Sequence, residues 1–127
     1  MDKSYSEWDF DVVVIGAGGA GLRAAIEASS SGAKVGMISK SMLGKAHTVM
    51  AEGGAAAALA NKDHRDSWKI HFRDTMKGGK YLSDWRMAKV HAQQAPDRIR
   101  ELEQWGAVFD RTSEGKTSQR NFGGHTY

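Results

Sequence analysis

The residues best suited to chemistry stand near the start of the chain, in a run of small residues that a phosphate group could approach closely. The run reads Gly16-Ala17-Gly18-Gly19-Ala20-Gly21. Gly16 allows a tight backbone turn, and Gly18 places no side chain between its amide group and a pyrophosphate. Gly21 allows a helix to lie close to the preceding strand. The spacing therefore predicts a cradle for the pyrophosphate of a dinucleotide.

The segments on both sides of this glycine run are those that such a cradle needs. An apolar run predicts a strand over 11–16, and the helical pattern behind it predicts a helix over 19–30. Phosphate would lie at the helix N-terminus, where free N–H groups and the helix dipole favour negative charge. A second strand over 33–39 completes one βαβ unit. Because the first strand is apolar throughout, we expect both of its faces to be buried in a parallel sheet.

The rest of the chain is predicted to be mainly helical, and Pro96 is expected to end one helix and begin another. The predicted elements are an irregular region over 40–54, a short helix over 55–60, a polar loop over 61–66, a helix capped by Ser67 and running to Met76, a helix capped by Ser83 or Asp84, a helix from Pro96 to Trp105, and a hairpin of two short strands over 107–111 and 116–120. The fold class is therefore α/β, a Rossmann-like βαβ unit followed by helices and a short β-hairpin.

One βαβ unit gives a sheet of only two strands, which needs further strands and covering helices to bury its faces. No feature near Tyr127 is typical of a domain end. We therefore expect a polar tail over 1–9, followed over 10–127 by the N-terminal portion of a larger fold, so that the fold is incomplete in this chain.

Composition excludes several classes of function. The net charge of +3 is too small to indicate a nucleic-acid partner, and a chain with no cysteine holds no disulfide, thiolate zinc site or cysteine-ligated iron–sulfur cluster. No apolar stretch approaches the roughly 20 residues of a membrane span. Residues 1–9 lack the apolar core of a secretory signal, so we expect a cytosol-facing protein. We expect no metal site either, and we interpret His64, His71 and His91 as structural or surface residues.

The end of the second strand bears on which dinucleotide is bound. An NAD site carries an acidic residue there, whereas this chain has Ile38-Ser39-Lys40. A lysine at this point would suit the 2′-phosphate of NADP. A Ser-Lys pair could equally hold the ribose and phosphates of another adenine dinucleotide, so the cradle and strand leave both cofactors open.

The segment beyond the second strand is more specific, and it reads Ala46-His47-Thr48-Val49-Met50-Ala51-Glu52-Gly53-Gly54. Together with the glycine run and Ser39-Lys40, it resembles the flavoprotein subunit of succinate dehydrogenase and fumarate reductase. Later stretches over 74–79, 95–103 and 119–124 agree with that family in order and spacing. The resemblance covers nearly the whole chain from about Phe10 onward.

The resemblance implies an FAD-binding α/β fold in which His47 is bonded covalently to a methyl carbon on the benzenoid ring of the flavin. The cofactor-binding residues that it implies are Gly16, Ala17, Gly18, Gly19, Ala20, Gly21, Ser39, Lys40, Ser41, Lys45, Ala46, His47, Thr48, Ala51, Glu52, Gly53 and Gly54. Gly53 and Phe122 would also form part of a dicarboxylate pocket. Ala46 stands where many members have serine, so that hydroxyl is absent from this chain.

The resemblance also implies an activity, namely oxidation of succinate to fumarate by hydride transfer to covalent FAD, with electrons passing through an iron–sulfur subunit to quinone. The implied partners are a membrane anchor and that iron–sulfur subunit, which would hold the protein at the cytoplasmic face of the membrane. The family's substrate-binding and proton-delivering residues lie beyond Tyr127 in sequence, so no catalytic residue is assigned here. The alternatives are an NADP-binding module that uses Lys40, or a non-catalytic piece that folds only with the rest of its subunit.

Overall fold

The computed structural model describes residues 5–127. The chain divides into two compact units, Met1–Gly54 and Ala55–Tyr127, each of which is described by itself. Part of the predicted tail, residues 1–4, lies outside the described residues, and residues 5–10 contain no helix or strand. Among residues 5–127, no helix combines the length and the apolar character needed to cross a bilayer.

The first unit contains the predicted βαβ arrangement. Strand β1 (Val12–Ile15) leads into helix α1 (Gly19–Ser30), which is followed by strand β2 (Val35–Ile38). The strands are parallel, with Val12 opposite Val35 and Ile15 opposite Ile38. The α/β class and the order of these elements are confirmed.

Burial of the sheet differs from the prediction. Helix α1 packs against both strands. Val13 nevertheless remains 50% exposed and Ile15 83% exposed. The prediction that β1 is buried on both faces is therefore wrong for the described residues, because two strands and one helix offer too little surface to cover both faces of the sheet.

The second unit is built on two helices, α2 (Trp68–Gly78) and α3 (Trp85–Gln104), which pack against each other. Its buried residues are Ala88, Ala92, Ala95 and Ile99 from α3, together with His71 and Asp74 from α2. Asp84 caps α3 as predicted, since its carboxylate accepts a hydrogen bond from the Arg86 N–H at 2.9 Å. Ser67 occupies the N-cap of α2, but its side chain makes no capping hydrogen bond.

Three local predictions in the second unit are wrong. Pro96 lies inside α3 and does not divide it, because Ala95 and Ile99 on either side of it are buried in the same core. Residues 55–60 are irregular and not helical. The predicted hairpin is reduced to one antiparallel bridge between Arg111 and Thr117, whose flanking residues are largely exposed and gain little from a longer ladder.

Candidate functional site

The glycine run forms the turn that its spacing predicts. Gly16 has φ of +107°, a left-handed conformation that favours glycine. A Cβ added to Gly21 would lie 1.9 Å from the Gly16 carbonyl oxygen, so strand and helix meet too closely for any other residue. The buried Ala17 completes the turn. A side chain at Gly21 would force the strand and the helix apart.

Helix α1 begins directly on this turn and presents there the N–H groups of its first turn, of which the Gly19 N–H donates to Thr48 Oγ1. Gly18 is the N-cap residue and Gly19 the first helical residue, and the 12-residue helix has no acidic side chain in its first turn. The first N–H groups of a helix have no partner within the helix, and the helix dipole makes this end positive. The cradle therefore combines N–H donors and positive potential with an absence of side chains, which is the environment that a pyrophosphate requires.

Ser39, Lys40 and Ser41 follow β2 at the same edge of the sheet as the glycine turn. The strands are parallel and Ile15 pairs with Ile38, so the residues after each strand emerge side by side. The Gly16 N–H donates to the Ile38 carbonyl at 2.8 Å and ties the two exits together. Ligands of open α/β sheets bind outside the carboxyl ends of the strands, where these residues stand.

The histidine-containing segment forms one turn of 3₁₀ helix over His47–Met50, which we call the attachment turn. It is closed by hydrogen bonds from the Val49 N–H to the Ala46 carbonyl at 3.1 Å and from the Ala51 N–H to the Thr48 carbonyl at 3.2 Å. The His47 side chain is exposed within its unit. An exposed imidazole on a short, hydrogen-bonded turn is available to a ligand.

The attachment turn lies against the glycine cradle. The Gly19 N–H donates to Thr48 Oγ1 at 3.1 Å, across 29 residues of sequence. The first unit therefore brings together two of the predicted groups, the phosphate cradle and the residue next to His47. The remaining predicted residues of this segment, Lys45, Ala46, Ala51, Glu52, Gly53 and Gly54, flank the attachment turn along the chain.

The residues present fit a dinucleotide whose diphosphate rests on the α1 N-terminus. The fit lies in a cradle that a Cβ would disturb, since side chains at Gly18 and Gly19 would each lie 3.3 Å from Thr48. The segment from β2 to the attachment turn adds hydroxyl, ammonium and imidazole groups near that cradle. This donor set suits the phosphates and sugar of a dinucleotide.

Phe122, the other residue predicted for a dicarboxylate pocket, belongs to the second unit. It is 60% exposed, and the Arg120 guanidinium lies 5.1 Å from the centre of its ring. Its participation with Gly53 in one pocket stays a prediction.

The second unit contains a histidine cluster that the sequence analysis missed, made of His71, His91 and His125. The ring centres of His91 and His125 lie 5.3 and 4.9 Å from that of His71. Burial lowers the pKa of His71 below its ordinary value, and the neighbouring His125 and His91 lower it further. His71 lies in α2, His91 in α3 and His125 near Tyr127. No local pattern in the sequence shows that these three residues meet. Among residues 5–127, no group of three or more His, Asp or Glu side chains has an arrangement that could hold a metal ion.

Asp74 fixes the C-terminal segment to α2. Its carboxylate accepts hydrogen bonds from the Thr126 N–H at 2.7 Å and from Arg73 Nη2 at 2.8 Å. Burial is the largest single influence on the pKa of Asp74 and raises it, but the hydrogen bonds from Thr126 and Arg73 together outweigh burial and lower that pKa. The carboxylate is therefore held in its charged form between Arg73 and Thr126.

Comparison with known proteins gives a consistent result. A family model described as an FAD binding domain matches residues 11–127. The chain is 48% identical over 121 residues to a fumarate reductase (CoM/CoB) subunit of Methanothermobacter marburgensis, covering 94% of the chain and 22% of that relative. It is 48% identical over 128 residues to the succinate dehydrogenase flavoprotein subunit of Rickettsia bellii, covering 99% of the chain and 21% of that relative. The chain therefore spans about a fifth of the length of these curated relatives.

Solved structures also resemble the chain, in both sequence and backbone fold. A chain of the Mycobacterium smegmatis Sdh1 complex in the apo form is 68% identical with a TM-score of 0.89, over 93% of this chain and 20% of that one. A FrdA variant of E. coli quinol fumarate reductase is 39% identical with a TM-score of 0.84, over 93% of this chain and 20% of that one.

Proposed function

The chain belongs to the FAD binding domain family, and from that premise we propose that it is the FAD-anchoring part of a succinate dehydrogenase or fumarate reductase flavoprotein subunit. In the complete subunit, succinate is oxidised to fumarate by hydride transfer to FAD, or fumarate is reduced by the reverse reaction. The observation that carries this proposal is the hydrogen bond of 3.1 Å between the Gly19 N–H and Thr48 Oγ1, because it holds the attachment turn on the dinucleotide cradle.

We propose a role for each cofactor residue, supported by the family resemblance and by the residue's place in the first unit. The run from Gly16 to Gly21 binds the pyrophosphate through the backbone N–H groups that do not already donate to Ile38 and Thr48, and Ser39, Lys40 and Ser41 hold the adenosine side. The segment from Lys45 to Gly54 surrounds the flavin. When bound, FAD supplies the hydride acceptor and a methyl carbon that can bond to a nucleophile. His47 supplies that nucleophile, a neutral imidazole nitrogen.

The FAD assignment resolves the choice that Lys40 alone left open. A lysine after the second strand suits either the 2′-phosphate of NADP or the adenosine side of another dinucleotide. The family model and the curated relatives both favour the second of these.

The proposal extends to partners and location. Two of the solved structures that resemble the chain contain a further small molecule, UQ1 in the Mycobacterium smegmatis Sdh1 structure and menaquinol in a quinol-fumarate reductase. We propose that electrons leave the flavin through an iron–sulfur subunit, which agrees with the absence of cysteine from this chain. We further propose that membrane anchor subunits hold the assembly at the cytoplasmic face of the membrane.

The experiment that tests the proposal follows the cofactor through denaturation. The native gene product that carries this chain is precipitated with acid and run on a denaturing gel, beside its His47→Ala variant. We expect flavin fluorescence to stay with the wild-type polypeptide and to be absent from the variant. Succinate oxidation with an artificial electron acceptor is measured on the same samples and is expected only where flavin is present. A colourless protein that binds NADPH tightly would contradict the proposal, and so would fluorescence that persists in His47→Ala.

A further inference from the structure

Helix α1 begins without a capping side chain of its own. Its N-cap residue is Gly18, which has no side chain to accept a hydrogen bond from the first turn. The acceptor for the Gly19 N–H is instead Thr48 Oγ1, at 3.1 Å. The attachment turn therefore supplies a side-chain acceptor to the first residue of a helix whose own N-cap residue has none.

The contact of Thr48 with the cradle involves both branches of its side chain. A Cβ added to Gly18 would lie 3.3 Å from Thr48 Oγ1, and one added to Gly19 would lie 3.3 Å from Thr48 Cγ2. The hydroxyl and the methyl group of Thr48 thus both border the space that the two glycines leave free of side chains.

We propose that Thr48 is a positioning residue for the covalent attachment of the flavin, an inference that rests on the proposed function. Thr48 follows His47 directly within the same single helical turn. The hydrogen bond that fixes Thr48 against the cradle therefore also fixes the position of the neighbouring His47 imidazole. With the cofactor diphosphate in the same cradle, this sets the position of His47 relative to the cofactor. Displacement of a reacting group by about 1 Å can slow a reaction about a hundredfold.

The attachment step itself is balanced between His47 and the flavin. One carbon–nitrogen bond forms, while one imidazole N–H bond and one methyl C–H bond break. The two hydrogens and the electron pair are taken up by the flavin ring system, which is reduced by two electrons. Thr48 exchanges no proton or electron in this step, and it acts only on the position of His47.

The test separates binding of FAD from attachment of FAD. Apoprotein of the native gene product is mixed with FAD, and bound flavin and acid-stable flavin are followed separately over time. Thr48→Val keeps the shape and the β-branch but loses the acceptor for the Gly19 N–H. We expect this variant still to bind FAD and, counted per bound flavin, to form the covalent bond about ten- to a hundredfold more slowly.

Two control variants make the result specific. Thr48→Ser keeps the hydroxyl and is expected to restore a rate close to that of the wild type. Thr75→Val makes the same chemical change in α2, where the Thr75 hydroxyl donates to the His71 carbonyl at 2.9 Å, and should leave attachment unchanged.

The proposal is overturned if Thr48→Val attaches FAD at the wild-type rate, or if Thr48→Ser is as slow as Thr48→Val. Loss of all FAD binding in Thr48→Val also overturns it, since Thr48 would then be needed for binding itself. A wild-type protein that binds FAD but never attaches it refutes the covalent linkage at His47, and with it this role for Thr48. Attachment in the wild type with an unaffected Thr48→Val variant removes only the inference about Thr48.

Discussion

At the scale of single residues, the site depends on where side chains are absent. The glycine spacing was enough to predict the turn, because Gly16 and Gly21 each have a steric reason that acts over a few residues. The role of Thr48 was not predictable in the same way. Its partner Gly19 lies 29 residues earlier, and no local pattern in the sequence links the two.

Gly21→Ala tests the close approach of β1 and α1. The added Cβ would meet the Gly16 carbonyl oxygen at 1.9 Å, and both atoms belong to the backbone or are fixed to it. We expect the free energy of unfolding to fall by at least about 2 kcal/mol and FAD retention to be lost, as measured by urea denaturation and flavin absorbance. Gly78→Ala is the matched control, since its Cβ would enter open space in α2. Equal behaviour of the two variants would contradict the packing account.

Asp74→Asn tests the attachment of the C-terminal segment. The charged carboxylate accepts hydrogen bonds from Thr126 and Arg73 while buried, and the amide can replace only part of this set. We expect urea denaturation to show a loss of about 2 kcal/mol. Asp97→Asn serves as control because Asp97 pairs with Arg100 on the exposed face of α3, and it should change stability by less than about 0.5 kcal/mol. A harmless Asp74→Asn would show that the carboxylate does not hold this segment.

At the scale of elements, the histidine cluster predicts a dependence of stability on pH. The pKa of His71 is lower in the folded chain than in the unfolded chain, chiefly through burial and then through His125 and His91, against the opposing charges of Asp66 and Asp74. As the pH falls below about 6.5, the unfolded chain therefore takes up this proton first. The contribution of neutral His71 to the free energy of unfolding is fully present above that pH and is lost as the pH falls toward the folded pKa of His71.

The measurement is the free energy of unfolding at a series of pH values from about 7.5 to about 5. We expect this free energy to decrease toward about pH 5. Replacing His71 with glutamine should reduce the slope, whatever its effect on stability at neutral pH. His64→Gln, at an exposed position of the same unit, should leave the slope unchanged. A slope that survives His71→Gln would assign the pH dependence to other groups.

Pro96 shows how packing between elements overrides a local rule. Sequence alone predicts a break there, since proline lacks an N–H and its ring collides with the carbonyl four residues earlier. Helix α3 nevertheless runs from Trp85 to Gln104, with buried residues on both sides of the proline. Contacts with α2, which is distant in sequence, decide the outcome, and such contacts are invisible to a reading of local propensity.

Pro96→Ala should therefore stabilise the second unit, by about 2 kcal/mol once the greater freedom of the unfolded alanine chain is subtracted. The midpoint of urea denaturation measures this, with an unchanged denaturant slope as evidence that the native fold is kept. A decrease in the midpoint would mean that the ring of Pro96 itself contributes packing that alanine cannot replace.

At the scale of the whole molecule, the sequence predicted the order of the elements better than their burial. An apolar β1 indicates a buried strand, yet Ile15 and, in β2, Ile38 are 83% and 57% exposed. Exposed apolar surface of this kind marks a place where other protein normally packs. The chain spans about a fifth of its curated relatives, and in the proposed subunit the remaining sequence would cover these faces.

The central claim is that His47 bonds to the flavin whose diphosphate lies on the α1 cradle. Trypsin digestion of the native gene product, followed by mass spectrometry, tests it most directly, because the peptide Ala46–Lys62 contains His47 as its one histidine. We predict that this peptide carries the added mass of one FAD less the two hydrogens lost when the attached flavin is reoxidised, and that fragment ions place it on His47, while the peptide with His71 is unmodified. An unmodified Ala46–Lys62 peptide from a protein that holds FAD, or an adduct on another residue, would contradict the account.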